Sequence, residues 1–152
     1  MKAKLPLILM AAFIGCAALQ AGEADPVQYY PIELEDGAQL PFSEGVLVGK
    51  LLFLSGQIGN LPGTSELAPG GIQGETRQTM ENIKAALGRL GSSMDEVVKC
   101  TVFLADISEW AAMNEVYVEY FPNNLPARSA LGASGLALGA RTEIECIATV
   151  GR

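Results

Sequence analysis

One cation in this chain stands where a charge is costly. Arg128 lies in the run Pro126-Ala127-Arg128-Ser129-Ala130-Leu131, and a guanidinium there needs either a buried carboxylate or an anionic ligand. Its planar fork matches a carboxylate through two parallel hydrogen bonds. The competing explanation is an ion pair with Glu143 or Glu145 on a neighbouring strand, and spacing alone puts that slightly ahead. Those two acids belong to the segment Thr142-Glu143-Ile144-Glu145-Cys146-Ile147-Ala148-Thr149-Val150. Two-residue periodicity sets them on one strand face and Ile144, Cys146 and Ala148 on the other. Such a pair is usually a solvated edge. Beside an Arg-bound substrate, one of them can also serve as a base that activates water.

Other chemistry is excluded by composition. The 152 residues contain no histidine, which rules out a Ser-His-Asp triad, a Cys-His pair and His-ligated zinc. Besides Cys16, only Cys100 and Cys146 are present, in no metal-ligand spacing. An oxidising compartment would allow them to pair. The preferred reading is two buried thiols in strand positions.

The first residues form a separate unit. Lys2 and Lys4 precede an uncharged apolar stretch over residues 5–15, and the small residues Ala17, Ala18, Ala21 and Gly22 follow. That order is the pattern of a secretory signal peptide, and the stretch is too short for a comfortable membrane span. Residues 1–21 are therefore read as a signal, and the protein as secreted or periplasmic. Cys16 after Ile14-Gly15 loosely resembles a lipoprotein box, which offers the alternative of a lipid anchor through Cys16. Without Lys2 and Lys4 the chain keeps 8 basic against 17 acidic residues, a net charge of −9. Such a surface repels phosphate backbones, so nucleic acid is not an expected partner.

The elements that must position Arg128 and Glu143 follow from periodicity. Residues 22–41 are acidic and weakly periodic, with residues 33–37 reading as a loop or short edge segment. Two β-favouring runs flank Gly49-Lys50, a plausible hairpin turn. Residues 59–71, with four glycines and two prolines, read as a loop. Ile72, Thr76, Met80, Ile83, Leu87 and Leu90 recur at helical spacing, and Gly91 is a stop. A strand is expected over residues 97–104. A second helix is expected with Asp106 or Ser108 as its cap and Pro122 as its end. Residues 126–131 and 143–150 are the last two strand candidates. The order β-β-α-β-α-β-β, with one further short strand near the start, implies an α+β or α/β layer structure with helices on one face of a sheet. The other face is then bare, and an apolar bare face is normally buried by self-association.

Five stretches together carry a family resemblance. Pro126-Ala127-Arg128-Ser129, followed fifteen residues after the arginine by Glu143-Ile144-Glu145, resembles the C-terminal motif of the RidA/YjgF family. Phe53-Leu54-Ser55-Gly56-Gln57-Ile58 resembles a motif of its first half, and Gln78-Thr79-Met80-Glu81-Asn82-Ile83-Lys84 that of its first helix. Val98-Lys99-Cys100-Thr101-Val102-Phe103-Leu104 and Met113-Asn114-Glu115-Val116-Tyr117 are similar to its middle. They stand in the right order and cover roughly residues 40–152, so the RidA-like domain is set at 42–152, after the acidic segment 22–41.

The resemblance implies a chorismate-mutase-like α+β fold, one sheet with two helices on one face. It also implies a homotrimer whose sheets form a central barrel with inter-subunit clefts. The implied activity is hydrolysis of 2-imino acids or their enamine tautomers to 2-oxo acids and ammonia, without metal or organic cofactor. By position, Arg128 would hold the substrate carboxylate and Glu143 would activate water. Ser55, Gly56, Phe42, Asn114 and the backbone at Ala130 would complete the cleft. Arg128 and Glu143 would come from one subunit and Phe42 or Asn114 from the next. Two departures from the family pattern concern the site: Phe42 lacks the hydroxyl of a frequent tyrosine, and Ala130 replaces a frequent cysteine. The alternative is an exported trimer that binds small carboxylates without turnover.

Overall fold

The computed structural model describes residues 26–33 and 37–151. The signal read over residues 1–21, with Cys16, lies outside the described residues. The strands are β1 (Val27–Glu33), β2 (Gln39–Val48), β3 (Leu51–Leu54), β4 (Gln57–Ile58), β5 (Val97–Leu104), β6 (Ala127–Gly132) and β7 (Thr142–Thr149). Helix α1 (Gly71–Arg89) separates β4 from β5, and α2 (Trp110–Tyr117) separates β5 from β6.

The strands form one sheet in the order β1-β2-β3-β7-β5-β6, with β4 also paired to β7. Strands β5 and β6 run parallel, because α2 carries the chain back between them, and the other paired strands described are antiparallel. Gly49, at φ 58°, makes the tight β2–β3 turn that the Gly-Lys pair announces. Neither Asp106 nor Ser108 caps α2 itself, whose N-cap is Glu109; Asp106 caps the short turn before it, its carboxylate accepting a 2.9 Å hydrogen bond from the Ser108 backbone N–H. The Ser108 side chain first, and this backbone bond second, hold the Asp106 carboxyl below its ordinary pKa. One short 3-10 turn (Ile107–Glu109) precedes α2. The acidic N-terminal segment supplies β1, an edge strand on β2.

Both helices cover one face. Leu52, Met80, Ile83, Leu87, Val102, Leu104, Met113 and Ile144 are fully enclosed there. Met80, Ile83 and Leu87 come from the α1 stripe, and Val102 and Leu104 from alternate positions of β5. Among the described residues, nothing covers the opposite face. Val27, Val48 and Leu51 line up across β1, β2 and β3, with Tyr29 and Phe53 in the next row. These five residues are 40–65% exposed.

One expectation is overturned. Cys100 and Cys146 are joined in a disulfide, not two separate thiols. Sequence separation hides the reason, which is register. The antiparallel β5–β7 ladder puts Cys100 directly opposite Cys146, with Cα atoms 4.1 Å apart.

Candidate active site

Arg128 and Glu143 occupy opposite faces of the sheet. Arg128 pairs across the ladder with Cys100, and Cys100 with Cys146, so all three point toward the helices. Glu143 lies three residues from Cys146 on β7 and therefore points the other way. Strand β5 also separates β6 from β7, which removes the ion pair that spacing favoured. Arg128 has no carboxylate partner among the described residues.

Instead, α2 holds the guanidinium. One Arg128 Nη donates to Asn114 Oδ1 at 2.6 Å. The guanidinium carbon stands 4.7 Å from the Tyr117 ring centroid and 5.6 Å from that of Trp110. Helical spacing explains the cluster: positions 110, 114 and 117 fall on one face of α2. Cation–π contacts of this kind are each worth about 0.5–2 kcal/mol. They fix the cation while leaving most of its N–H donors unengaged, which suits a carboxylate ligand. The Tyr117 hydroxyl is buried and has no hydrogen-bond partner among the described residues. Burial pushes its pKa up to about 12, against the opposing pull of Arg128, so it stays a neutral phenol. Ala130 lies two residues further along β6, on the same helix-facing side and opposite Val102.

Glu143 belongs to a second group. It shares a cavity of about 460 Å³ with Phe42, Gly56, Gln57, Asn60 and Leu138. Gly56 is packed against its carboxylate so closely that a Cβ there would overlap a carboxylate oxygen. Burial raises the Glu143 pKa, and the neighbouring Glu145 adds to the rise. Ser55 is next to this cavity, but its hydroxyl is engaged, donating to the Ser43 carbonyl at 2.6 Å.

The grouping therefore differs from the one the resemblance implied. Arg128 and Asn114 are together in one protomer, and Phe42, Gly56 and Glu143 are together elsewhere in it. Trp110 and Tyr117 fall within the second helix expected from the sequence, which assigns them no role of their own. Their contact with Arg128 depends on how α2 lies over β6, which periodicity does not specify. Among the described residues, no group of three or more His, Cys, Asp or Glu gathers as a metal site.

Residues 35–150 match the family model described as Endoribonuclease L-PSP. The chain belongs to the RidA/YjgF family. Within it, the chain is 43% identical over 111 residues to the 2-iminobutanoate/2-iminopropanoate deaminase of Capra hircus, covering 73% of this chain and 81% of that protein. A Rid-family protein of unknown function from Yersinia pestis, YyfA, superposes with a TM-score of 0.74 at 35% identity, covering 82% of this chain and all of that one. The E. coli TdcF structure with bound serine gives a TM-score of 0.69 at 36% identity, covering 75% of this chain and 91% of that one. Rid-family membership accounts for the α+β sheet with two helices on one face.

Proposed function

We propose that this protein hydrolyses 2-imino acids to 2-oxo acids and ammonia, in sites completed by a second copy of the chain. The observation that carries the reading is the pair of half-sites. An arginine with no carboxylate partner among the described residues is presented on the edge strand β6. A carboxylate of raised pKa lies in a cavity on the other side of the sheet. The similarity to named imine deaminases at 40–44% identity supports the activity.

In this reading Arg128 of one copy binds the substrate carboxylate through its fork. The Asn114 oxygen and the two rings keep the fork aimed. Glu143 of the neighbouring copy accepts a proton from water as the water oxygen bonds to the imine carbon. It then returns that proton to the nitrogen; the C–N bond breaks as the carbinol hydroxyl releases its remaining proton to Glu143 and becomes the carbonyl, and the departing ammonia takes up that proton as ammonium. A 2-iminium acid plus water thus yields a 2-oxo acid plus ammonium. The carbon is already electrophilic, so orientation and one acid–base group supply most of the effect. A carboxyl with a raised pKa serves both proton steps better than an ordinary one.

Assembly into a homotrimer, with the sheets as an inner barrel, is part of the proposal and is supported by the uncovered apolar sheet face. Export is also part of it. The apolar leader and the buried disulfide agree, since such bonds persist in oxidising compartments; a lipid anchor through Cys16 remains the alternative form of export. RNA is a poor fit as substrate, given 17 acidic against 10 basic residues.

The test uses protein lacking residues 1–21 and imines generated in situ by an amino-acid oxidase. Imine loss should run faster than in buffer, and Arg128→Ala should remove the acceleration. A folded oligomer with no acceleration would favour the second reading, a carboxylate-binding trimer, which the hydroxyl-free Phe42 beside Glu143 supports.

A further inference from the structure

Leu138 has the only left-handed backbone among the described non-glycine residues, at φ 55° and ψ 14°. A leucine gains nothing locally from that conformation, since it has no polar group to bond its own backbone. Such strain persists only where the surroundings enforce it. Here they do, just downstream. The Arg141 N–H donates at 2.8 Å to the buried Glu75 carboxylate, while the Arg141 side chain pairs with Glu109. The Arg141 carbonyl accepts from Ala105 N–H at 2.9 Å. The loop before β7 is thereby pinned, and Leu138 is held on its outer side, 58% exposed.

What Leu138 borders is the Glu143 cavity. Ile32, Leu40, Phe42 and Leu138 form an apolar wall there, in the same protomer as the carboxylate. A second cavity of about 780 Å³ shares Ile32, Leu40, Asn60 and Leu138 with the first, so the groove continues past Leu138. An amino-acid-derived imine has three substituents on its reacting carbon. If the carboxylate is directed to Arg128 and the carbon to the water beside Glu143, the side chain is left to run along this wall.

We infer that the apolar wall beside Glu143 is a side-chain subsite, and that Leu138 and Phe42 make the protein selective for imino acids with large apolar side chains. This deepens the deaminase reading and rests on it for the orientation of the substrate. Burial of several extra methylenes in such a wall gives discrimination on the order of tenfold or more.

The experiment measures binding and turnover separately, on the full oligomer. Calorimetry with pyruvate and with 4-methyl-2-oxopentanoate, the oxo acids of alanine and leucine, should show the larger acid binding at least about tenfold more tightly. Leu138→Gly and Leu138→Asn both accept a left-handed backbone, so both keep the loop. In each, the binding ratio should fall toward one. Turnover of the corresponding imines should follow the same ratios. Equal binding of the two acids by the parent protein, or a ratio retained in both variants, would overturn the subsite alone. A binding ratio that collapses in the variants, with no hydrolysis of either imine, supports the subsite and overturns the deaminase reading.

Discussion

Glu143 owes its position to an absence. Gly56 has no side chain, and the Glu143 carboxylate lies against the space a methyl group would take. Gly56→Ala should push the carboxylate aside with little effect on folding, because the group displaced is the end of a flexible side chain. Imine turnover should drop at least about tenfold, as misplacing a reacting group by an ångström costs up to a hundredfold. Circular dichroism would establish that the variant is folded, and a fully active variant would show that Glu143 need not rest there. The carboxylate also sets a pH dependence. Its pKa is raised above the ordinary 4.5, first by burial and then by Glu145. The base form is needed for water attack, so the acid limb of the rate profile should lie above pH 4.5. Glu145→Gln removes the like charge and should move that limb to lower pH. For stability the sign is opposite to that of a salt-bridged acid. Ionising Glu143 in its half-buried place costs folding free energy, so its contribution is greatest at low pH and is lost as pH rises through its pKa.

At the scale of elements, β5 is the axis of the site. It pairs with β6, which bears Arg128, and with β7, which bears Glu143. The Cys100–Cys146 disulfide joins β5 to β7 in the row of Arg128. It closes a long loop, with a sequence separation of 46. Replacing both cysteines by alanine should lower stability by about 2–4 kcal/mol, read from urea denaturation against the oxidised parent. A reducing agent should shift the parent toward the variant and leave the variant's own curve in place. If the two oxidised curves coincide, the bond adds nothing to the fold. Helix α2 has a comparable role for the cation, since Asn114, Tyr117 and Trp110 reach Arg128 from one of its faces.

The whole molecule decides whether the site exists at all, if Arg128 and Glu143 must meet across two copies. That arrangement permits complementation. Arg128→Ala and Glu143→Gln should each be inactive alone. Unfolded together and refolded as mixed oligomers, they should regain activity, because about a quarter of the interfaces then join an intact Arg128 to an intact Glu143 under random assembly. Mixed oligomers that stay inactive would overturn a site shared between two copies. The exposed row of Val27, Val48 and Leu51, with Tyr29 and Phe53 beside it, is the surface available to hold such copies together.

Much of this fold is legible in the sequence. Strand β5 falls on residues 97–104, as its β-branched run announces, and α1 follows its apolar stripe up to Arg89, just ahead of Gly91. These elements are local: side-chain spacing and backbone preference act within a few residues, and a sequence displays them directly. Arg128 and Glu143 were likewise marked by charge in apolar surroundings and by alternation along a strand. The tertiary structure alone decided which groups share a place. The Arg128–Glu ion pair is removed because β5 intervenes, and Cys100 meets Cys146 because the ladder has one register rather than another. Trp110 and Tyr117 acquire their role by the position of α2 over β6, and Leu138 by a loop pinned at Arg141. Register, strand order and helix placement are settled by the packing of the whole core, and no segment of the chain carries them by itself.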